Sequence, residues 1–289
     1  YPETRITRSA DPAQLTAAEG GLYFVADDLD HGAELWWSDG ETQETYMVQD
    51  IAAGTADSDP EWLSATGGKL FFSADDGLHG SELWWGDGGA GTAGLVADLC
   101  PGEEGSDPAH LISLPTGLLF AATPQGGNTL LYQFDTGTSM PQVLVAVNEL
   151  VPGGQLEGLS RVWDDIYAVF RDKAQHYQFG LWNTASETFE LLPVLLPPFP
   201  QWPDVQQWAR AHQVVEEADS IRLLHCYLAL PFMAKRYCNM GSTFWFGGYS
   251  PAYGMELWRT NVGANEAALV QDCFPGRGSS SPDQLVVGG

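Results

Sequence analysis

Hydrophobic and polar positions alternate along this chain in short runs that stop at glycine, aspartate and proline. In one stretch, Trp62-Leu63-Ser64-Ala65-Thr66 ends at Gly67-Gly68, and Lys69-Leu70-Phe71-Phe72-Ser73-Ala74 ends at Asp75-Asp76-Gly77. Glu82-Leu83-Trp84-Trp85 then ends at Gly86-Asp87-Gly88-Gly89, and Gly94-Leu95-Val96-Ala97-Asp98-Leu99 ends at Pro101-Gly102. Runs of about four to seven residues bounded by turn formers predict four β-strands. Nothing in the unit keeps a helical period for long enough to compete.

The unit repeats. Asp11-Pro12, Asp59-Pro60 and Asp107-Pro108 are each 48 residues apart. The segment Asp30-His31-Gly32-Ala33-Glu34-Leu35-Trp36-Trp37-Ser38-Asp39-Gly40 returns after 48 as Leu78-His79-Gly80-Ser81-Glu82-Leu83-Trp84-Trp85-Gly86-Asp87-Gly88. Weaker copies follow at Leu130-Leu131-Tyr132 and Gly180-Leu181-Trp182, and a clean one at Gly254-Met255-Glu256-Leu257-Trp258. A four-stranded unit of about 40–50 residues is the sequence signature of a propeller blade. The predicted fold is therefore all-β, a β-propeller of about five four-stranded blades in one repeat domain, 1–289. Blades fall at 9–56, 57–104, 105–153, 154–192 and 221–278, with 279–289 starting a further repeat or closing the ring. Aromatic second strands such as Leu70-Phe71-Phe72-Ser73 suit sheets covered on both faces, which favours a closed ring over an open array.

One segment breaks the period. From Leu181 to Leu257 the offset is 76, and the excess falls at 193–220. Its proline-rich start, Leu192 to Pro203, predicts extended irregular chain. Asp204, with Gln207 three residues on, predicts a helix to about Ala218. Such an insertion at a propeller rim could seal a degenerate blade or meet a partner.

The string Glu-Leu-Trp-x-x-Asp-Gly, read at 34–40 and 82–88, resembles the ELWxxDGT repeat family. The resemblance is strong over 9–106, weak over 107–192, and clear again over 241–285. The Thr that ends the family motif is replaced by Glu41 and Gly89. It implies a propeller-like, secreted or surface-exposed repeat protein and carries over no catalytic residue.

Charge narrows the partners. Acidic residues number 38 against 12 basic ones, a net charge of −26. Such a field repels nucleic acid and attracts cations and basic partners. No apolar run reaches the roughly 20 residues that span a bilayer. The chain opens at Tyr1 without a charged n-region and apolar h-region, as expected of a mature secreted chain or an excised fragment. Four cysteines without metal spacing predict a disulfide between Cys226 and Cys238, with Cys100 and Cys273 a possible second pair. An oxidising compartment, extracellular or at the cell surface, fits that usage.

Candidate chemistry is sparse. The acidic turns Asp27, Asp28, Asp30 and Asp75, Asp76 either cap their own turns or hold Ca²⁺. His31 and His79 are repeat equivalents better suited to turns than to metal. The single-copy acids Asp164, Asp165, Glu187, Glu190, Glu216 and Glu217 show no pattern of a glycosidase pair, and no nucleophile, zinc-peptidase or phosphate-loop motif occurs. Trp37, Trp85, Trp202 and Trp208 are candidate ligand-binding aromatics, set against the alternative of core packing. The expected function is a non-enzymatic extracellular interaction or structural module with a protein or glycan partner at the propeller rim. Alternatives are a carbohydrate-binding lectin-like propeller, with or without a need for Ca²⁺, and a self-assembling subunit of a filament or surface layer.

Overall fold

A computed structural model describes residues 10–18, 20–40, 44–124, 127–162, 165–196, 237–240, 243–250, 254–261 and 268–271. They form five antiparallel sheets of four strands, each an up-and-down meander in which sequence neighbours pair. The chain divides into two compact units, Tyr1–Leu150 and Val151–Gly289.

The first unit holds three sheets. Their strands are β1 (Ala13–Ala18), β2 (Gly21–Asp27), β3 (Ala33–Ser38) and β4 (Thr45–Met47); β5 (Glu61–Thr66), β6 (Lys69–Asp75), β7 (Ser81–Gly86) and β8 (Ala93–Ala97); β9 (Ala109–Leu114), β10 (Gly117–Ala122), β11 (Leu130–Asp135) and β12 (Gln142–Ala146). One helical turn, α1 (Val147–Leu150), follows; nothing in the repeat predicted it. The second unit holds β13 (Gln155–Val162), β14 (Asp165–Arg171), β15 (Tyr177–Asn183) and β16 (Thr188–Leu196), then β17 (Tyr237–Met240), β18 (Thr243–Ser250), β19 (Gly254–Asn261) and β20 (Ala268–Gln271).

Alternation along β6 explains how successive sheets stack. Phe72 points into one core with Tyr23, Leu35, Val48, Leu70 and Trp84. Its neighbour Phe71 points to the opposite face, into a core with Leu83, Leu111, Leu118, Phe120 and Phe134. Strand side chains have a period of two, so one aromatic pair serves both contacts. Burying a side chain of this size contributes about 1.5–3 kcal/mol.

A second tie is polar and recurs with the repeat. Glu34 is fully buried, accepting from the Ala52 N–H at 3.0 Å and from the Ser58 hydroxyl at 2.5 Å. Glu82, also fully buried, accepts from the Cys100 N–H at 2.9 Å and from Ser106 at 2.6 Å. Each serine lies just ahead of the next sheet, so each carboxylate joins two consecutive sheets. At the same 48-residue offset the third repeat has Leu130 and Gly154, losing the acceptor and the hydroxyl together.

Two elements differ from expectation. In four sheets an aromatic of the third strand lies opposite a Phe of the second: Trp36 with Phe24, Trp84 with Phe72, Tyr132 with Phe120, Trp258 with Phe246. In the fourth sheet that position is Gly180 opposite Ala168, so Trp182 lies two residues beyond the equivalent of Trp84. Strand β16 also runs through Pro193 to Leu196, where extended irregular chain was predicted. It is the last strand of its sheet, paired on one side, and its pairing skips residues between Leu191 and Leu195; an edge with a bulge tolerates proline. The helix predicted at 204–218 lies outside the described residues.

Candidate functional site

In the first unit the first strands of successive sheets, β1, β5 and β9, lie side by side. Each carries a bulge at the same place. Ala13 to Thr16 spans one residue more than the facing Val25 to Tyr23, Glu61 to Ser64 one more than Ser73 to Phe71, and Ala109 to Ile112 one more than Ala121 to Leu119. The bulged residues Gln14, Trp62 and His110 have φ of 53°, 57° and 57°. Left-handed backbone is unusual for non-glycine residues and costs on the order of 1 kcal/mol or more, so three in register mark a position held by its surroundings. A bulge re-aims a side chain that would otherwise alternate into a sheet face.

Two of these residues meet. The rings of Trp62 and His110 lie 4.4 Å apart at 58°. Trp62 remains 40% exposed, which is unusual for so large a side chain. His110 is half-buried, and that burial lowers its pKa below the ordinary 6.5, leaving a neutral ring at pH 7. Leu15, beside Gln14, is also exposed. The pair offers an exposed indole beside an uncharged imidazole.

Each acidic turn spends its oxygens locally. Asp27 Oδ1 accepts from the Leu29 N–H at 2.7 Å. Asp28 Oδ1 accepts from the N–H groups of Asp30 and His31, while Oδ2 meets His31 Nδ1 at 2.8 Å. The next repeat copies this: Asp75 accepts from Gly77, and Asp76 from Leu78, His79 and the His79 ring. Asp172 and His176 form a third such pair, which the sequence did not flag because its turn lacks the Asp-Asp signature. Among the described residues no three His, Cys, Asp or Glu side chains are grouped to hold a metal. The turns are built as self-capping loops.

The hydrogen bond to Asp28 raises the pKa of His31, and the bond to Asp76 raises that of His79. By NMR titration both rings are therefore expected to protonate above 6.5, and His110 below it. Asp76→Asn should bring His79 back toward 6.5 without moving His110; an unmoved His79 would rule out the pairing. The carboxylates are lowered below 3.8, Asp28 chiefly by the His31 ring and Asp76 by His79 bonds that outweigh its burial. Any stability from these pairs is thus lost as pH falls through the lowered carboxylate values, and lost again as it rises through the raised imidazole values.

The two candidate tryptophans among the described residues are engaged within the chain. Trp37 packs on Tyr46 with centroids 5.2 Å apart. Trp85 lies under the Lys69 ammonium at 3.8 Å. Trp202 and Trp208 lie outside the described residues, as do Cys226, Cys273 and the side chain of Cys238; Cys100 is buried. Sequence reasoning missed Trp62 and His110. Their signal is positional: both stand three residues after Asp-Pro's aspartate, in a frame that is otherwise constant while this residue changes from Gln to Trp to His.

No family model and no curated protein sequence matches the chain. Similarity to solved structures is broad but low in identity. A puromycin-hydrolyzing peptidase of Mycobacterium tuberculosis aligns with a TM-score of 0.50 at 13% identity, over 91% of this chain and 37% of that one. TolB from Acinetobacter baumannii gives 0.47 at 12% identity, over 88% and 53%, and a prolyl endopeptidase 0.47 at 11%, over 90% and 35%. The chain thus spans roughly a third to a half of the length of these proteins. The likeness corrects the functional expectation: a non-enzymatic extracellular scaffold, lectin or filament subunit was read from the sequence, but the fold is shared with a peptidase, and a non-enzymatic role is not shown. No helix among the described residues is long and apolar enough to cross a membrane. With five four-stranded antiparallel meanders and these propeller-type neighbours, the fold is that of a β-propeller.

Proposed function

We propose that this chain is a peptide-binding propeller domain belonging to a peptidase-type protein. The observation that carries this reading is the exposed Trp62, held against His110 by left-handed bulges on two adjacent first strands. Strained, solvent-exposed aromatics are the kind of group a binding site keeps. Its likeness to a peptidase of which it matches 37% supports a division of labour. In this reading the propeller holds the peptide, and a separate segment cuts it.

Fluorescence anisotropy with fluorescein-labelled eight-residue peptide pools tests this. The chain is expected to bind at least one pool at micromolar concentration, and Trp62→Ala should weaken that binding about tenfold, the loss of one stacked aromatic contact. If no pool binds, or binding ignores Trp62, the reading fails.

A further inference from the structure

We infer that the segment held at Trp62 presents an arginine side chain to the exposed indole; the inference rests on the peptide-binding reading above. The first argument is charge. From residue 10 to residue 150 the sequence contains a single Lys or Arg, Lys69. That ammonium already sits 3.8 Å from the centre of the Trp85 ring. Between residues 10 and 150, then, no other Lys or Arg is present to neutralise the carboxylates.

The second argument is local. Trp62 is exposed beside exposed Glu61 and three residues after exposed Asp59, and His110 stands three residues after exposed Asp107. A guanidinium over an indole face is favoured by the ring quadrupole by about 0.5–2 kcal/mol, more so where carboxylates add their field. A neutral residue at Trp62 would leave those carboxylates without a counter-charge. The third argument is the companion ring. His110 is held neutral by burial, so it adds no repelling charge beside the indole, 4.4 Å from its centre. Lys69 on Trp85 shows the same cation–ring geometry already formed within this sheet. Arginine is preferred over lysine because its flat guanidinium stacks on an indole and sheds water more readily.

The test uses the full chain and two labelled peptides, Gly-Ser-Arg-Ser-Gly and the same sequence with citrulline, a neutral near-isostere of arginine. The arginine peptide is expected to bind about 2–30-fold more tightly. Trp62→Ala should abolish most of that preference while leaving the net charge unchanged, and Trp62→Phe, which keeps a ring, should retain part of it. Circular dichroism of each variant verifies folding. Equal binding of both peptides overturns the inference and leaves peptide binding standing. An arginine preference that survives in Trp62→Ala overturns it too, since diffuse attraction to an acidic surface would then suffice. Failure of both peptides to bind, where mixed pools do bind, likewise overturns it; failure of every peptide overturns the underlying reading as well.

Discussion

Replacing Glu82 with alanine is expected to lower the free energy of unfolding by about 3 kcal/mol, read as a shift in urea midpoint at constant slope. The carboxylate is fully buried and receives the Cys100 N–H and the Ser106 hydroxyl. Alanine leaves both donors facing the protein interior, each costing about 1–3 kcal/mol, and opens a void in addition. Glu82→Gln keeps one acceptor and should cost less than half as much. A loss under 0.5 kcal/mol for the alanine variant would mean that water replaces the carboxylate and that the tie between sheets is dispensable. The pH dependence has a definite sign. Burial raises the Glu82 carboxyl above its ordinary 4.5, so the folded protein takes up this proton at a higher pH than the unfolded chain. This site's contribution is then greatest below pH 4.5 and declines as pH rises through the folded value.

The second large effect is expected at Gly80. Its φ is +66°, and a methyl group there would run into the backbone nitrogen of Gly105 and come within 2.7 Å of the Glu104 carbonyl carbon. Gly105, at φ +69°, meets the backbone of Ser81 in return. Two glycines thus let the loop before β7 touch the segment that leads into β9, where the N–H groups of Ser106 and Asp107 both reach the Ser81 carbonyl. Gly80→Ala would incur about 1–2 kcal/mol for the left-handed backbone and more for forcing the segments apart, on the order of 4 kcal/mol in total. Gly77 is the internal control. It has φ +77° with nothing within 4 Å of an added methyl, so Gly77→Ala should lose only the backbone share. Equal losses at the two sites, compared by thermal melts, would show that the close approach does not constrain the fold.

Much of the architecture is legible in the sequence because each repeat states it again. The Asp-Pro starts, the doubled aromatics at Phe71-Phe72 and the Asp-Gly stops recur at 48 residues, and the sheets follow them closely. The fourth sheet was misaligned for a physical reason. A two-residue slip returns every side chain to its own face, so Trp182 satisfies the hydrophobic pattern while sitting out of register with Trp84. Residues 14, 62 and 110 were obscure for a related reason: alternation assumes an unbroken strand, and a bulge breaks it where these side chains turn outward. The acidic turns and tandem tryptophans drew attention by chemistry that the fold consumes internally, at Asp28–His31 and Lys69–Trp85.

The Glu–Ser tie also sets rules for how such a chain can lengthen. Because the acceptor sits in one repeat and the hydroxyl opens the next, a duplicated 48-residue cassette that begins before Ser58 and ends after Cys100 would rebuild a complete junction at each of its ends. The third repeat cannot be copied so freely. Set ahead of a serine-opening cassette, its Leu130 would enclose a hydroxyl with no acceptor; set after one, its own Ser106 would still find a glutamate. Growth by tandem copying is therefore directional at that repeat, open on its amino-terminal side and closed immediately after it.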